Sequence, residues 1–170
     1  MPRGDPAAIP ASTERNYPVR ISRYSLISDS EGAGNYRGGL GLRRDYLFEQ
    51  GGVSFTILAD RTRSGPWGLQ GGEDGLPARY VLNPDGEAVE LDSKVTLQLK
   101  PGDVVSIQTC GGGGYGSPSE RDPEAVLLDL RAGNISAERA LNVYGVVVDE
   151  FGLVIDEAAT KELRARGMFG

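Results

Sequence analysis

Gln108-Thr109-Cys110-Gly111-Gly112-Gly113-Gly114-Tyr115-Gly116-Ser117 sets four adjacent glycines directly after the strand-like run Val104-Val105-Ser106-Ile107. Glycine loses more backbone freedom on folding than any other residue. Four in a row are therefore kept where the backbone takes positive φ or approaches another group with no Cβ between. The stretch marks close approach to a ligand or to another polypeptide surface. It also divides the chain, because the residue pattern has a period of two before it and a helical period after it.

Upstream, Val19 to Leu26 alternates apolar and polar residues through its first half, as a strand with one buried face does. Val53, Phe55 and Ile57 repeat the pattern, and so do Val95, Leu97 and Leu99. Tyr46 to Phe48, Arg79 to Leu82 and Ala88 to Leu91 are weaker strands. The last two form a hairpin through Asn83-Pro84-Asp85-Gly86, whose second-position Pro and fourth-position Gly suit a type I turn. Short strands with Gly- and Pro-rich connections predict a twisted antiparallel sheet, a sandwich or a partly closed barrel.

Downstream, Asp122-Pro123-Glu124 opens a helix with the face Val126, Leu127 and Leu130, ended by Gly133. Ser136 caps a second helix carrying Ala137, Ala140 and Leu141 toward Gly145, and Asp156 caps a third from Glu157 to about Arg166, ended by Gly167. Val146 to Val148 and Leu153 to Ile155 flank Asp149-Glu150-Phe151-Gly152 as a hairpin. The fold class is β-rich α+β. Residues 1–16, punctuated by Pro2, Pro6 and Pro10, read as a flexible lead. Residues 17–170 read as a single domain, with a β-rich body over 17–110 and an α+β tail over 117–170.

Composition narrows the chemistry. The 170 residues carry a net charge of -6 with dispersed lysines and arginines, which argues against nucleic acid or an anionic membrane as partner. One cysteine excludes an intrachain disulfide, and no apolar run reaches signal or transmembrane length, so a cytoplasmic protein is expected. There is no histidine. The commonest neutral-pH base, the commonest transition-metal ligand and every histidine-dependent triad are therefore missing, and no catalytic or metal-binding residue is assigned.

The candidates for contact with a ligand or a neighbouring subunit are Gly111, Gly112, Gly113, Gly114 and Tyr115, with Arg37 and Arg61 in other glycine-rich loops. A nest of glycine N–H groups can cradle phosphate or carboxylate, whereas a glycine-lined turn can equally pack on a neighbouring subunit. Gly111, Gly113 and Gly116 fit G-x-G-x-x-G, but no βαβ unit surrounds them. Arg37 and Arg61 can fork onto a carboxylate or phosphoryl group, or pair internally with Asp29 or Asp60. Asp29, Asp60, Asp74 and Asp103 serve either a hard cation or, as turn and cap acceptors, the fold. Cys110 lacks an activating histidine and reads as a buried thiol. Trp67 is either an exposed platform or a packing residue.

Asp29 to Gly41, read as DSEGAGNYRGGLG, resembles the signature "DSgGaGkyRGGlG" of the hydantoinase B/5-oxoprolinase family. Asp60-Arg61 with Gly65 to Gly72 is similar to that family's "DR...P.GL.GG". Gly111 to Gly116 with Arg121-Asp122-Pro123 is similar to "GGGGYGdP..RDP". Asp129, Gly133, Ser136, Ala140, Tyr144 to Val147 and Thr160 follow the closing pattern in order. The resemblance implies a C-terminal portion or split subunit of an ATP-dependent complex that opens cyclic amides or, in related enzymes, carboxylates ketones. Its partners would be a hydantoinase A-type ATP-binding subunit and the N-terminal hydantoinase B region. ATP and a divalent metal would be held by those partners and no cofactor by this chain, whose own contribution would be architectural. Two other classes stay open: a stand-alone β-sheet module that binds a small molecule through the glycine loops and Trp67, and a complete small hydrolase. The glycine loops around Gly38, Gly71 and Gly112 are expected to be covered by another polypeptide.

Overall fold

Period-two sequence becomes strand between residues 19 and 108 of this computed structural model, which describes residues 13–149, 151 and 154–167. The strands are β1 Val19–Leu26, β2 Leu42–Phe48, β3 Val53–Leu58, β4 Arg79–Leu82, β5 Val89–Glu90, β6 Lys94–Leu99 and β7 Val104–Gln108. Five form a sheet in the order β1-β2-β7-β4-β5, and β3 pairs with β6 as a separate antiparallel ribbon. β7 lies between β2 and β4, antiparallel to both, and is buried on both faces, so it shows no wet–dry alternation: Val105 and Ser106 are wholly buried. The five-stranded sheet is open, with β1 and β5 as edges, so the expectation of a sheet holds and that of a partly closed barrel does not.

The ribbon shows how the alternation sets register. Val53, Phe55 and Ile57 lie opposite Leu99, Leu97 and Val95, so all six share one face. On the other face Thr56 and Thr96 meet at 3.0 Å, and Gln98 donates to Ser54. Phe48, Leu99 and Val105 centre the apolar cluster of this region, and Phe55 meets Phe48 edge-on at 5.7 Å.

β2 is longer than its apolar residues suggest, because it begins with Leu42-Arg43-Arg44-Asp45. Asp45 is buried opposite Ser106 and is forked by Arg43 at 2.8–3.1 Å, with Arg23 at 3.7 Å. Burial alone would raise the Asp45 pKa. The hydrogen bonds from Arg43 and Ser106, with the positive charges of Arg43 and Arg23, outweigh it and hold the carboxyl below its usual range.

Downstream come a 3-10 turn, Pro118–Glu120, and three helices: α1 Pro123–Arg131, α2 Ala137–Asn142 and α3 Glu157–Arg166. Their caps are those expected. Asp122 accepts from Glu124 N–H, Ser136 from Arg139 N–H and Asp156 from Ala159 N–H, and Gly133 and Gly167 take positive φ behind α1 and α3. Val126, Ile135, Ala140, Tyr144 and Val146 form a second core with Ala33, and Leu130 packs against it. Three expectations need correction. α2 ends at Asn142 rather than near Gly145, and Leu141 is exposed, because Ala140 alone faces the core of that short helix. Among the described residues the hairpin after it shows as a Val148–Ile155 bridge rather than paired strands, with Asp149 N–H donating to Val154 and Asp156 N–H to Val147, while Leu153 lies outside the described residues. Residues 13–16 form a helical turn, Tyr17 N–H donating to Thr13, although they belong to the stretch expected to be a flexible lead; residues 1–12 lie outside the described residues.

The chain forms two compact, interleaved units. One takes the chain to Ser25, Leu42–Thr62 and Arg79–Thr109, and the other takes Leu26–Gly41, Arg63–Ala78 and everything from Cys110 onward. The glycine-rich segments Leu26–Gly41 and Arg63–Ala78 thus belong with the tail, a division that one cut between body and tail does not describe.

Candidate functional site

In the second unit, three loops, residues 30–39, 67–76 and 111–116, meet as a glycine knot with almost no side chain between them. Gly32 N–H donates to Gly112 at 2.7 Å, Gly112 N–H to Gly39 at 2.8 Å and Gly111 N–H to Leu76 at 3.0 Å. Gly114 N–H donates to Glu73 at 2.9 Å, and Leu69 N–H donates back to the Gly114 carbonyl at 2.9 Å. Tyr36 and Tyr115 exchange N–H···O bonds of 2.9 and 3.0 Å, and Leu69 bridges Tyr115 from the other side.

None of Gly111 to Gly114 has positive φ, so their role here is the missing Cβ. A Cβ on Gly111 would fall on the Ser30 carbonyl oxygen, one on Gly113 on that of Trp67 and one on Gly114 on that of Ala33. One on Gly38 would fall on the Gly112 carbonyl oxygen. Close backbone approach is thus real, but what approaches is the same chain. The glycine loops at Gly38 and Gly112 cover each other, which corrects the expectation that another polypeptide must fill that space. The phosphate-nest reading fails for the same reason, because the N–H groups of Gly111, Gly112 and Gly114 already have carbonyl partners.

Two buried ionic hubs clamp the loops to the helices. Asp129 accepts two 2.8 Å bonds from Arg37, a 2.9 Å bond from Arg121 and a 3.0 Å bond from Asn134. Burial opposes its charge, but Arg37, Asn134 and Arg121 prevail and hold the Asp129 carboxyl below the usual aspartate range. The Asp129 hydrogen bonds, set against the cost of burial, raise the pKa of Arg37 in turn. Arg37 therefore pairs internally, with Asp129 rather than with Asp29 or Asp60. In the second hub Arg139 donates to Glu31 Oε1 at 2.7 Å, to the Glu31 carbonyl at 2.8 Å and to Glu73 at 3.0 Å. Tyr144 OH donates to Glu31 Oε1 at 3.2 Å, and Glu31 Oε2 is buried without a hydrogen-bond partner. Burial, with the negative charge of Glu31, pushes the Tyr144 phenol above its usual range. Arg164 donates to the Tyr144 and Arg121 carbonyls and so ties α3 to both hubs.

The remaining candidates separate. Arg61 is exposed, at φ 60°, and lies in the other compact unit. Asp29 and Asp74 belong to one unit, Asp60 and Asp103 to the other. Asp74 accepts from Gly68 N–H and Asp103 from Lys100 N–H, local turn roles, while Asp29 accepts from Ser136 N–H across 107 positions and ties its loop to the start of α2. Among the described residues no group of three or more His, Cys, Asp and Glu is placed to hold a metal ion. Cys110 is half-buried rather than buried. Trp67 is 66% exposed, so it is not a core residue. Glu31, Arg121 and Arg139 were not among the site candidates; a charged residue in a polar stretch carries no mark of burial.

Among the described residues no helix is long and apolar enough to cross a membrane. The structure of ATP-dependent caprolactamase from Pseudomonas jessenii superposes with a TM-score of 0.74 at 33% identity, over 92% of this chain and 28% of that one. In sequence the chain is 44% identical to an uncharacterized protein of Methanocaldococcus jannaschii over 155 residues. It is 38% identical over 154 residues to the B-type subunit of a putative D-/L-hydantoinase of Pseudomonas sp. strain NS671. Each match covers 89% of this chain, which spans only about a quarter (27% and 26%) of those relatives' length. The family model described as Hydantoinase B/oxoprolinase matches residues 10–118, a stretch that includes the loops of the glycine knot, and the chain belongs to that family.

Proposed function

We propose that the chain supplies part of the B-type subunit of an ATP-dependent complex that opens cyclic amides, and that its contribution is architecture and subunit contacts. The observation that carries this reading is a match over 89% of the chain to the B-type subunit of a putative hydantoinase, of which it spans 26%. The internally closed glycine knot supports it, since Gly111, Gly112 and Gly114 have spent their N–H groups on the fold. ATP handling and metal chemistry fall to a hydantoinase A-type subunit and to the rest of the B-type polypeptide, in the cytoplasm. Ketone carboxylation is the neighbouring chemistry within this reading.

The test is purification of the native complex, followed by ATP-dependent turnover assays with a hydantoin, 5-oxoproline and caprolactam. The complex is expected to turn over one of them while the isolated chain shows neither ATPase nor amidase activity. Robust turnover by the chain alone, abolished by a substitution within it, overturns the reading. A second reading, a stand-alone binding module, draws on the exposure of Trp67. It requires a soluble monomer that binds a small molecule saturably, with loss of binding in Trp67→Ala.

A further inference from the structure

α3 turns one face toward the start of α1. Glu157, Thr160, Lys161 and Arg164 recur at i, i+3, i+4 and i+7 and so share that face. With the segment 122–124 and Ile155 they line a cleft of about 410 Å³ inside the second compact unit. The α3 wall carries opposite charges at its two ends. Glu157 opens the helix, Lys161 and Arg164 follow one and two turns later, and at 1.5 Å per residue Glu157 and Arg164 stand about 10 Å apart along the axis. Pro123 and Ile155 supply apolar surface. The cationic end is held in place but not neutralised. Arg164 donates to the Tyr144 carbonyl at 3.0 and 3.1 Å and to the Arg121 carbonyl at 2.8 Å, through Nε and Nη2 only. Arg37, Arg43, Arg121 and Arg139, half-buried like Arg164, each hold a carboxylate at 2.7–2.9 Å, whereas among the described residues Arg164 pairs with none. Burial accordingly pulls the Arg164 pKa down, opposed by the charge of Asp122, a side chain already engaged as the cap of α1. A half-buried guanidinium that lines an open cleft, oriented by carbonyls and lacking a counter-ion, suits a carboxylate guest.

We propose that this cleft binds a short amino acid whose carboxylate and ammonium stand at opposite ends of an alkyl chain. The carboxylate sits on Arg164 and Lys161, the chain on Pro123 and Ile155, and the ammonium points to Glu157. An α-amino acid carries its two charges on adjacent carbons and cannot reach both ends. A simple carboxylate leaves Glu157 unanswered and meets the acidic Asp122 and Glu124 with nothing to offset them. The origin of the ligand rests on the functional reading above. Water added across the ring C–N bond of a lactam leaves one open chain, with a carboxylate at one cut end and an ammonium at the other, so the ligand belongs to the class of ring-opened products.

The test is calorimetric titration of the full chain with 6-aminohexanoate, compared with norleucine, hexanoate, hexylammonium and caprolactam. Saturable one-to-one binding of 6-aminohexanoate is expected, with each comparison ligand about tenfold weaker or more, because each forfeits at least one charge-assisted contact. Lys161→Gln and Glu157→Gln change exposed side chains of α3 and should each weaken binding about fivefold, whereas Lys100→Gln, in the other compact unit, should change nothing. Arg164→Gln should abolish binding; since Arg164 also ties α3 to the Tyr144 and Arg121 carbonyls, the decision rests on the two exposed variants. No binding of 6-aminohexanoate at about 10 mM, equal binding of hexanoate or norleucine, or wild-type affinity in both Lys161→Gln and Glu157→Gln overturns the proposal. The functional reading survives any of these, because it stands on ATP-dependent turnover by the complex. Conversely, a complex that opens no cyclic amide, with a chain that still binds 6-aminohexanoate, upholds the site and removes the functional reading alone.

Discussion

Alanine placed in turn at Gly113, Gly112 and Gly39 should produce three different outcomes from one chemical change. At Gly113 the added Cβ would fall on the Trp67 carbonyl oxygen, 2.5 Å from its carbon and 3.0 Å from the Gly68 nitrogen. Ordinary contact would require the Trp67–Gly68 backbone to retreat by about 1 Å. That backbone leads into Leu69, which is held to the glycine run by bonds of 2.9 and 3.0 Å. Overpacking of this kind costs about 1–3 kcal/mol, and loosening two backbone hydrogen bonds adds about 0.5–1.5 kcal/mol each. Gly113→Ala should therefore destabilise by about 3–5 kcal/mol, a fall in Tm of about 6–20 °C for a chain of this size. At Gly112 the nearest atom, the Gly39 nitrogen, is 3.0 Å away, and a small shift suffices; about 1 kcal/mol is expected. At Gly39 nothing lies within 4 Å and φ is not left-handed, so alanine should be neutral or stabilising by up to about 1 kcal/mol through the unfolded state. Differential scanning calorimetry of the three proteins reads the order directly. Equal melting temperatures for Gly113→Ala and Gly39→Ala would refute the argument that the glycines exist to let the chain approach itself.

Asp129→Asn should cost about 3–5 kcal/mol, because it leaves Arg37 and Arg121 charged and buried without their carboxylate. Asp129 has a lowered pKa in the fold, so its contribution is complete above the ordinary aspartate pKa of about 3.9 and is lost as pH falls through the lower folded value. The Tm gap between wild type and Asp129→Asn should therefore be constant from pH 8 to 5 and close below about pH 4. Tyr144→Phe should cost about 1 kcal/mol for the lost bond to Glu31 and should remove a late-ionising phenol from an ultraviolet titration of the folded protein. Because the unfolded phenol ionises near pH 10 and the folded one above it, wild type should lose stability from about pH 10 upward more steeply than the Phe variant. Asp122→Ala, which removes the acceptor for Glu124 N–H at the start of α1, should cost about 1 kcal/mol of stability in a urea titration.

Where one face of an element is wet and the other dry, the chain states its structure openly. β3 and β6 alternate along their whole length, and α1 and α3 carry a cap at one end and a left-handed glycine at the other. Each of these can be derived from local chemistry alone. β2 hides its first half because Arg43 and Asp45 neutralise each other inside the sheet, and alternation cannot represent a buried charge whose partner sits two residues away. α2 is overextended by the same logic, since Leu141 looks like a core residue yet only Ala140 is buried in a helix of six residues.

The glycine run tests that logic hardest. Four glycines announce close approach, and the structure bears this out, but the approaching group is set by pairings across the chain: Gly111 with Ser30, Gly113 with Trp67, Gly114 with Ala33. No local rule contains those separations. The hubs are hidden more deeply still, because Arg37 finds Asp129 across 92 positions and Arg139 finds Glu31 across 108. Both hubs nevertheless serve one mechanical purpose. Glycine loops have no side chains with which to grip, so arginine forks from Arg37, Arg121 and Arg139 bind them to α1 and α2 through Asp129, Glu31 and backbone carbonyls such as that of Asn35. The exposed residues of the knot, Tyr36, Leu69 and Tyr115, are consequently held by a frame that has little freedom left to lose when something binds them. Preorganisation of that kind lowers the entropic cost of association without adding a contact.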